Sequence, residues 1–245
     1  MTTLAQTQQE LIDEFAMFSD WQDRYEHLIE LGKDLPLISP EHKTDDNLVR
    51  GCQSRAVFAY DERLRLFPSY LQQLEMESNG KSVKADGRAV DGPTAPITWG
   101  GVGTDAQHAV FQLLHQGTHV VPVDFIACIA AGDELSPEHH RNLLANCFAQ
   151  GAALMAGKTS DDPARAYPGD RPSATILCED LNAATLGALI AFHEHRTFAA
   201  GVLMEINSFD QFGVELGKAI AKSIGTAGAQ FDASTSALLA EAGLA

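Results

Sequence analysis

Downstream of Tyr60, short apolar runs alternate with long segments rich in small residues, and this alternation constrains the fold more than any other feature. The runs VVPVDFIACIA and SATILC predict strands, whereas the segments from Pro137 to Gly157 and from Asn182 to Leu203 predict helices. Strands that alternate with helices in this way favour parallel βαβ packing in an α/β domain. Pro122 predicts that the first of these strands is short or lies at a sheet edge, because proline cannot donate a ladder hydrogen bond.

The amino-terminal segment has a different pattern. Its apolar residues recur every three or four positions, which predicts helical structure: Leu11, Phe15, Phe18, Trp21, Tyr25, Leu28 and Leu31. Ser19 followed by Gln22 resembles a capping box, so two helices are expected to meet near Ser19. A loop containing prolines, DLPLISPEHKTDD, follows.

Charge and composition exclude several classes of function. The net charge is -16, with 17 Lys and Arg against 33 Asp and Glu, which argues against nucleic-acid binding but not against a small anionic substrate. No apolar run reaches the length of a membrane helix, and the start MTTLAQTQQELIDEF lacks the features of a secretion signal. The four cysteines share no CxxC spacing, which favours reduced thiols in the cytoplasm.

Three ionisable residues are candidates for chemistry, although each alone has an ordinary structural explanation. Glu77 precedes the turn-forming residues Ser-Asn-Gly, His115 ends the apolar run AVFQLLH, and Lys218 lies near the start of a predicted helix. A single histidine at a helix end is more often a cap than a catalyst. The helix after Phe212 is expected to use Val214, Leu216 and Ala219 for packing.

Taken together, the segments that contain these residues resemble one family. From about Tyr60 to the carboxyl end, residues 58–245, the chain resembles the carboxyl-terminal part of the glucose-6-phosphate isomerase (phosphoglucose isomerase) family. The resemblance rests on five stretches: MESNGK, GTDAQHAVFQLLHQGT, LLANCFAQGAALMAGK, TLGALIAFHEH and SFDQFGVELGK. It implies a parallel-sheet, sugar-isomerase (SIS-like) domain that is incomplete.

The resemblance also implies a chemistry. Interconverting glucose 6-phosphate and fructose 6-phosphate moves a proton between adjacent carbons through a cis-enediol, and the resemblance assigns the base to Glu77. His115 and Lys218 take part in ring opening, and Gln211 contacts the substrate. In the family the histidine comes from the neighbouring subunit, which implies a homodimer. No metal or organic cofactor is needed.

The family's amino-terminal half has no counterpart in this sequence. That half supplies a Ser/Thr-rich loop for the phosphate and an arginine for the enediolate. The two Ser/Thr clusters, at Lys158–Ser160 and Ser234–Ser236, are more typical of a polar loop and tail. Weak or absent turnover is therefore expected, since one lost electrostatic contact costs about a hundredfold in rate.

Residues 1–57 instead resemble the start of the SufE family of sulfur acceptors, through ELIDEFAMFSDWQDRYEHLIELGKDLP and NLVRGCQS. That resemblance implies that Cys52 accepts a persulfide from a cysteine desulfurase. Arg50 and Arg55 would favour the reactive thiolate. Three hypotheses follow: an isomerase, a sulfur carrier acting through Cys52, or a non-functional chimera of the two.

Two further motifs have simple structural explanations. His193 and His195 diverge by about 200° on a helix, so they cannot both bind one metal ion. GGVGT, at 100–104, is interpreted as a glycine-rich turn without the lysine of a nucleotide-binding loop.

Overall fold

The computed structural model of the chain describes residues 53–132, 134–226 and 228–244, together with residues 6, 9, 13, 14, 16–18 and 27. The chain divides into two compact units, Met1–Val49 and Arg50–Ala245. The first unit contains helical residues at 9, 13, 14 and 16, as its apolar stripe predicts. Glu14 Oε1 lies 2.7 Å from His27 Nε2. The predicted capping box at Ser19 lies outside the described residues.

A parallel four-stranded sheet forms the centre of the second unit and confirms the predicted α/β architecture. Its strands are β1 (Ser54–Tyr60), β2 (Ile97–Val102), β3 (Val123–Cys128) and β4 (Ser173–Cys178), in the spatial order β2-β1-β3-β4. Phe58 of β1 is in register with Phe125 of β3. β3 begins directly after Pro122 and is short, but it lies inside the sheet rather than at an edge.

Helices connect and follow the strands. They are α1 (Phe67–Gln72), which continues into a π-helical turn (Gln73–Glu77), α2 (Gly103–Gln107), α3 (Phe111–Gln116), α4 (Pro137–Ala156), α5 (Ala183–Leu203), α6 (Glu215–Ser223) and α7 (Ala233–Glu241). The predicted ends of the two long helices are confirmed. The Asn182 side chain accepts hydrogen bonds from the first turn of α5, and α4 ends at Gly157, where φ is +62°.

Two apolar clusters cover opposite faces of the sheet, because alternate residues of β1 point in opposite directions. Phe58 packs with Phe111 and Leu114 of α3 on one face. Val57 packs with Leu71 of α1 on the other face. The sheet therefore separates α3 from α1 and its π-helical turn.

Three details differ from the sequence predictions. β1 crosses the proposed boundary between residues 57 and 58, and the two units divide between Val49 and Arg50. The GGVGT motif is not a simple turn, since Gly100 lies within β2 and a Cβ there would come within 1.8 Å of Val57 O. The prediction that α6 packs through Leu216 is also wrong within the described residues, because Leu216 is 70% exposed. Its contacts cannot be read from the helical period alone.

No helix in the described part of the chain is both long enough and apolar enough to cross a membrane.

Cys128, Cys147 and Cys178 are buried free thiols. Burial raises the pKa of Cys147 to about 12, so this thiol stays protonated at neutral pH.

His193 is a buried imidazole on α5, in edge contact with the ring of Phe67. Among the described residues, neither of its ring nitrogens has a hydrogen-bonding partner. Burial, followed by the positive charges of Arg55 and Arg196, lowers the pKa of His193 to about 4. The folded chain therefore holds a neutral imidazole where the unfolded chain binds a proton more readily.

We predict that the free energy of unfolding falls as the pH is lowered from about 6.5 to about 4, partly because of His193. In this window the unfolded state binds the proton and the folded state does not, so acid favours unfolding. From the pKa values of 6.5 and about 4, the contribution is on the order of 3 kcal/mol. Urea denaturation across this pH range should show a smaller acid loss in His193→Leu. The exposed control His139→Leu should match the parent chain, and equal slopes in all three proteins would contradict the prediction.

Candidate functional site

An open pocket of about 290 Å³ lies beside the π-helical turn. Three parts of the chain line it. Its polar lining residues are Tyr70, Gln73, Glu77 and Ser78 from α1, the π-helical turn and the residue that follows it, Glu194 from α5, and Asp210 and Gln211 from the segment before α6. Glu77 and Gln211, two residues that the isomerase resemblance assigns to one site, thus line the same pocket despite their distance in sequence.

The direction of Glu77 is set by a second carboxylate two residues earlier. Side chains two positions apart on a helical turn project to nearly opposite sides. Glu75 is 5% exposed and points into the protein, whereas Glu77 is half-buried and reaches the pocket. Insertion of a π-helical turn is a common way of placing a functional residue.

Glu75 is the centre of a buried ionic network. Its Oε1 accepts hydrogen bonds from Arg55 Nη1 at 2.5 Å and from Arg196 Nη1 at 2.7 Å. Its Oε2 accepts a hydrogen bond from Thr98 Oγ1 at 2.6 Å. Arg55 also forms an ion pair with Asp124, so two guanidinium groups face two carboxylates. The network joins the π-helical turn to β1, β2, β3 and α5.

Two side chains of the MESNGK motif attach this turn to the segment that carries Gln211. Asn79 Oδ1 accepts a hydrogen bond of 2.5 Å from Ser208 Oγ, and Asn79 Nδ2 donates to Thr197 O at 2.8 Å. Lys81 Nζ donates to Glu77 O, Ser78 O and Asp210 O at 2.7 to 2.9 Å. These two walls of the pocket, the π-helical turn and the segment that carries Gln211, are therefore attached to each other.

The electrostatics of the pocket favour hydroxyl groups over a phosphate. Glu77, Glu194 and Asp210 bring three carboxylates to its lining, of which Asp210 is paired with Lys81, and carboxylates accept hydrogen bonds from hydroxyls. Tyr70 donates its hydroxyl to Glu194 Oε1 at 3.2 Å. Burial and the neighbouring Glu194 raise the pKa of Tyr70, which keeps it a neutral donor.

Lys218 and His115 do not line this pocket. Lys218 is exposed on α6, the helix that follows Gln211 after one 3₁₀ turn (Phe212–Val214). His115 lies on α3, and its Nε2 is 2.9 Å from Gln150 Oε1. Because α3 and α1 pack on opposite faces of the sheet, His115 cannot reach Glu77 of the same chain.

Sequence reasoning overlooked Glu75, Tyr70, Gln73 and Glu194. A signal for Glu75 was present, because Phe67, Leu71, Glu75 and Ser78 recur at helical spacing and are all buried. A glutamate that continues the apolar stripe of Phe67 and Leu71 indicates a buried partner of opposite charge. Cys52, the candidate sulfur acceptor, lies outside the described residues.

The parallel sheet and the carboxylate-lined pocket beside it define an α/β protein with a candidate site whose side chains can accept hydrogen bonds from hydroxyl groups. The sequence pattern of the family described as phosphoglucose isomerase matches residues 10–239. The chain therefore belongs to the phosphoglucose isomerase family.

Individual relatives agree with this assignment. The chain is 74% identical over 215 residues to a glucose-6-phosphate isomerase of Erythrobacter litoralis, covering 86% of this chain and 42% of the relative. It is 63% identical over 212 residues to that of Zymomonas mobilis, with the same two coverages. The crystal structure of a glucose-6-phosphate isomerase from Chlamydia trachomatis superposes with a TM-score of 0.72 at 38% identity, covering 80% of this chain and 39% of that one.

The matches show how much of this chain, and how much of each relative, is similar. The chain spans about two fifths of the length of these curated relatives. The family match begins at residue 10, well inside the segment 1–57 that the sequence compares with sulfur acceptors. The comparisons give that second resemblance no support, and the role of Cys52 with a cysteine desulfurase stays an untested prediction.

We predict that Glu75→Gln lowers the free energy of unfolding by about 3 kcal/mol, because it removes the negative charge that pairs with the buried guanidinium of Arg55. Urea denaturation of the chain measures this loss. Glu62→Gln is the matched control, since the Glu62 side chain is 70% exposed and 4.0 Å from its partner Arg65. Similar losses in the two variants would show that the buried network contributes little.

Proposed function

We propose that the pocket is part of the active site of an aldose–ketose isomerase acting on glucose 6-phosphate and fructose 6-phosphate. The observation that supports this most directly is that Glu77 and Gln211 line one cavity, in a chain of the phosphoglucose isomerase family. Turnover by this chain is part of the proposal, because its relatives match it over about two fifths of their length.

In the proposed reaction the carboxylate of Glu77 removes a proton from one carbon of the open-chain sugar and returns it to the adjacent carbon. The cis-enediol is the intermediate, and one half-buried carboxylate can serve both steps because the two carbons are neighbours. Gln211 contacts the substrate from the segment before α6. His115 and Lys218 act in ring opening, which requires them to approach the pocket from outside its present lining.

The acidic lining determines how the substrate is oriented in the pocket. The hydroxyl-bearing carbons lie against Glu77 and Gln211. The phosphate points away from the carboxylates of Glu77 and Glu194, because like charges repel at short range in a partly buried site. Groups that hold the phosphate and stabilise the enediolate in the full-length relatives would add to this site. Loss of one such contact costs about a hundredfold or more in rate.

We predict slow but measurable transfer of solvent deuterium to C1 of fructose 6-phosphate when the purified chain is incubated in D₂O, followed by NMR. Glu77→Gln should lower this rate at least about a hundredfold, because an amide cannot accept the proton. Glu138→Gln, at the exposed start of α4, is the control and should retain the parent rate. No exchange above buffer, or equal rates in both variants, would overturn the proposal.

The position of His115 leads to a specific form of the proposed homodimer. Within one chain the sheet separates this histidine from Glu77. In a two-fold dimer each chain could supply His115 to the pocket of the other, as the family resemblance implies. Each complete site would then consist of Glu77 from one protomer and His115 from its partner.

We predict that two inactive variants restore each other when mixed. In a mixed dimer of Glu77→Gln and His115→Ala chains, one site has both substitutions and the other has neither. Random exchange of chains should therefore restore about a quarter of the parent deuterium-transfer rate, since half of the dimers are mixed and each has one intact site. Refolding the two variants together and separately provides the comparison. A rate no higher than that of the separate variants would rule out the shared site.

A further inference from the structure

Lys81 makes an unusual set of contacts for a lysine that does not line the pocket. Its ammonium group has three hydrogens, and the group donates to three main-chain oxygens: Glu77 O at 2.8 Å, Ser78 O at 2.9 Å and Asp210 O at 2.7 Å. The same nitrogen is 3.0 Å from Asp210 Oδ1, and the Lys81 side chain is 18% exposed. All of its donor capacity is used inside the protein.

These contacts connect the two residues on which the proposed reaction depends. One acceptor is the carbonyl of Glu77 itself, at the end of the π-helical turn, where carbonyls lack helical partners. Another acceptor is the carbonyl of Asp210, the residue directly before Gln211. A single ammonium group thus joins the main chains of two segments that line the pocket.

The backbone around Asp210 needs such support. Phe209 has φ of +70°, a left-handed conformation that is strained for an aromatic residue and persists only when its surroundings hold it. Hydrogen bonds hold both neighbours of Phe209. Ser208 donates to Asn79 Oδ1, and Asp210 accepts from Lys81.

We propose that Lys81 is a positioning residue that fixes the spacing between Glu77 and Gln211 through their main chains, without touching the substrate. This inference rests on the proposed function for its catalytic consequence, whereas the connection itself is a property of the fold. A proton-transfer base loses efficiency when its distance from the reacting carbon varies. Loss of Lys81 therefore lowers the rate of the chemical step more than it weakens binding.

Lys84 provides a matched control, three residues further along the chain. Its Nζ is 2.7 Å from Glu205 Oε2 and 3.5 Å from Asp91 Oδ2, so it also joins two distant segments through ion pairs. Within the described part of the chain, Lys84 neither lines the pocket nor forms a hydrogen bond or ion pair with Glu77 or Asp210. Lys81→Met and Lys84→Met each remove one ammonium group and keep most of the aliphatic stem.

The first measurement is hydrogen–deuterium exchange by mass spectrometry, which does not require activity. Lys81→Met should increase exchange at least about tenfold in peptides covering residues 76–82 and 207–212 together, because both segments lose charge-assisted hydrogen bonds. Lys84→Met should leave residues 76–82 and 207–212 at the parent rate. Faster exchange in only one of the two peptides, or in neither, would overturn the connection.

The second measurement is deuterium transfer to fructose 6-phosphate under saturating and subsaturating conditions. Lys81→Met should lower kcat at least about tenfold and change KM less than about threefold. A general loosening of the fold would instead raise KM together with the fall in kcat, and would also speed exchange outside the two peptides. An unchanged kcat, with both peptides exchanging faster, would overturn the positioning role. If the parent chain itself transfers no deuterium, the proposed function fails, and the exchange data still decide whether Lys81 connects the walls.

Discussion

The buried carboxylate of Glu75 is the interaction on which the arrangement of the site depends. It accepts hydrogen bonds from Arg55, Arg196 and Thr98, which belong to three different elements of the second unit. A charge in the interior is tolerated only when it is paired and its lone pairs are satisfied, so the helical turn that carries Glu75 has one acceptable rotation about its axis. That rotation places Glu77 on the side of the pocket. The buried carboxylate of Glu75 thereby determines where the side chain of Glu77, the proposed catalytic base, points.

Much of the fold follows from local signals in the sequence. The long helices α4 and α5 were predicted with their ends, because Gly157 and Asn182 are terminal signals that act within one helical turn. The parallel sheet followed from alternating elements. The GGVGT motif was misread as a turn because the close approach of Gly100 to Val57 O is a contact between strands, which no local pattern encodes. The exposure of Leu216 likewise depends on what lies beside α6.

The candidate site was accessible from sequence only through family resemblance. Nothing in the immediate neighbours of Glu77 distinguishes it from a solvated glutamate, and its pairing with Gln211 arises from tertiary structure. Glu75 and Lys81 were overlooked for the same reason, since their partners lie on distant elements. The helical spacing of Phe67, Leu71, Glu75 and Ser78 was nevertheless a readable signal of a buried charge. Hydrophobic periodicity is most informative where a charged residue interrupts it.

The contacts of Lys81 are made to main-chain oxygens, and this has a consequence for ligand studies. Carbonyl oxygens are present whatever side chain a residue carries, so replacing Glu77 leaves every acceptor of the ammonium group in position. A variant that lacks the proposed catalytic carboxylate should therefore keep the shape of its cavity. Such a variant suits crystallography with an added sugar, because the main-chain oxygen that binds Lys81 and the side chain proposed for the chemistry are different atoms of Glu77.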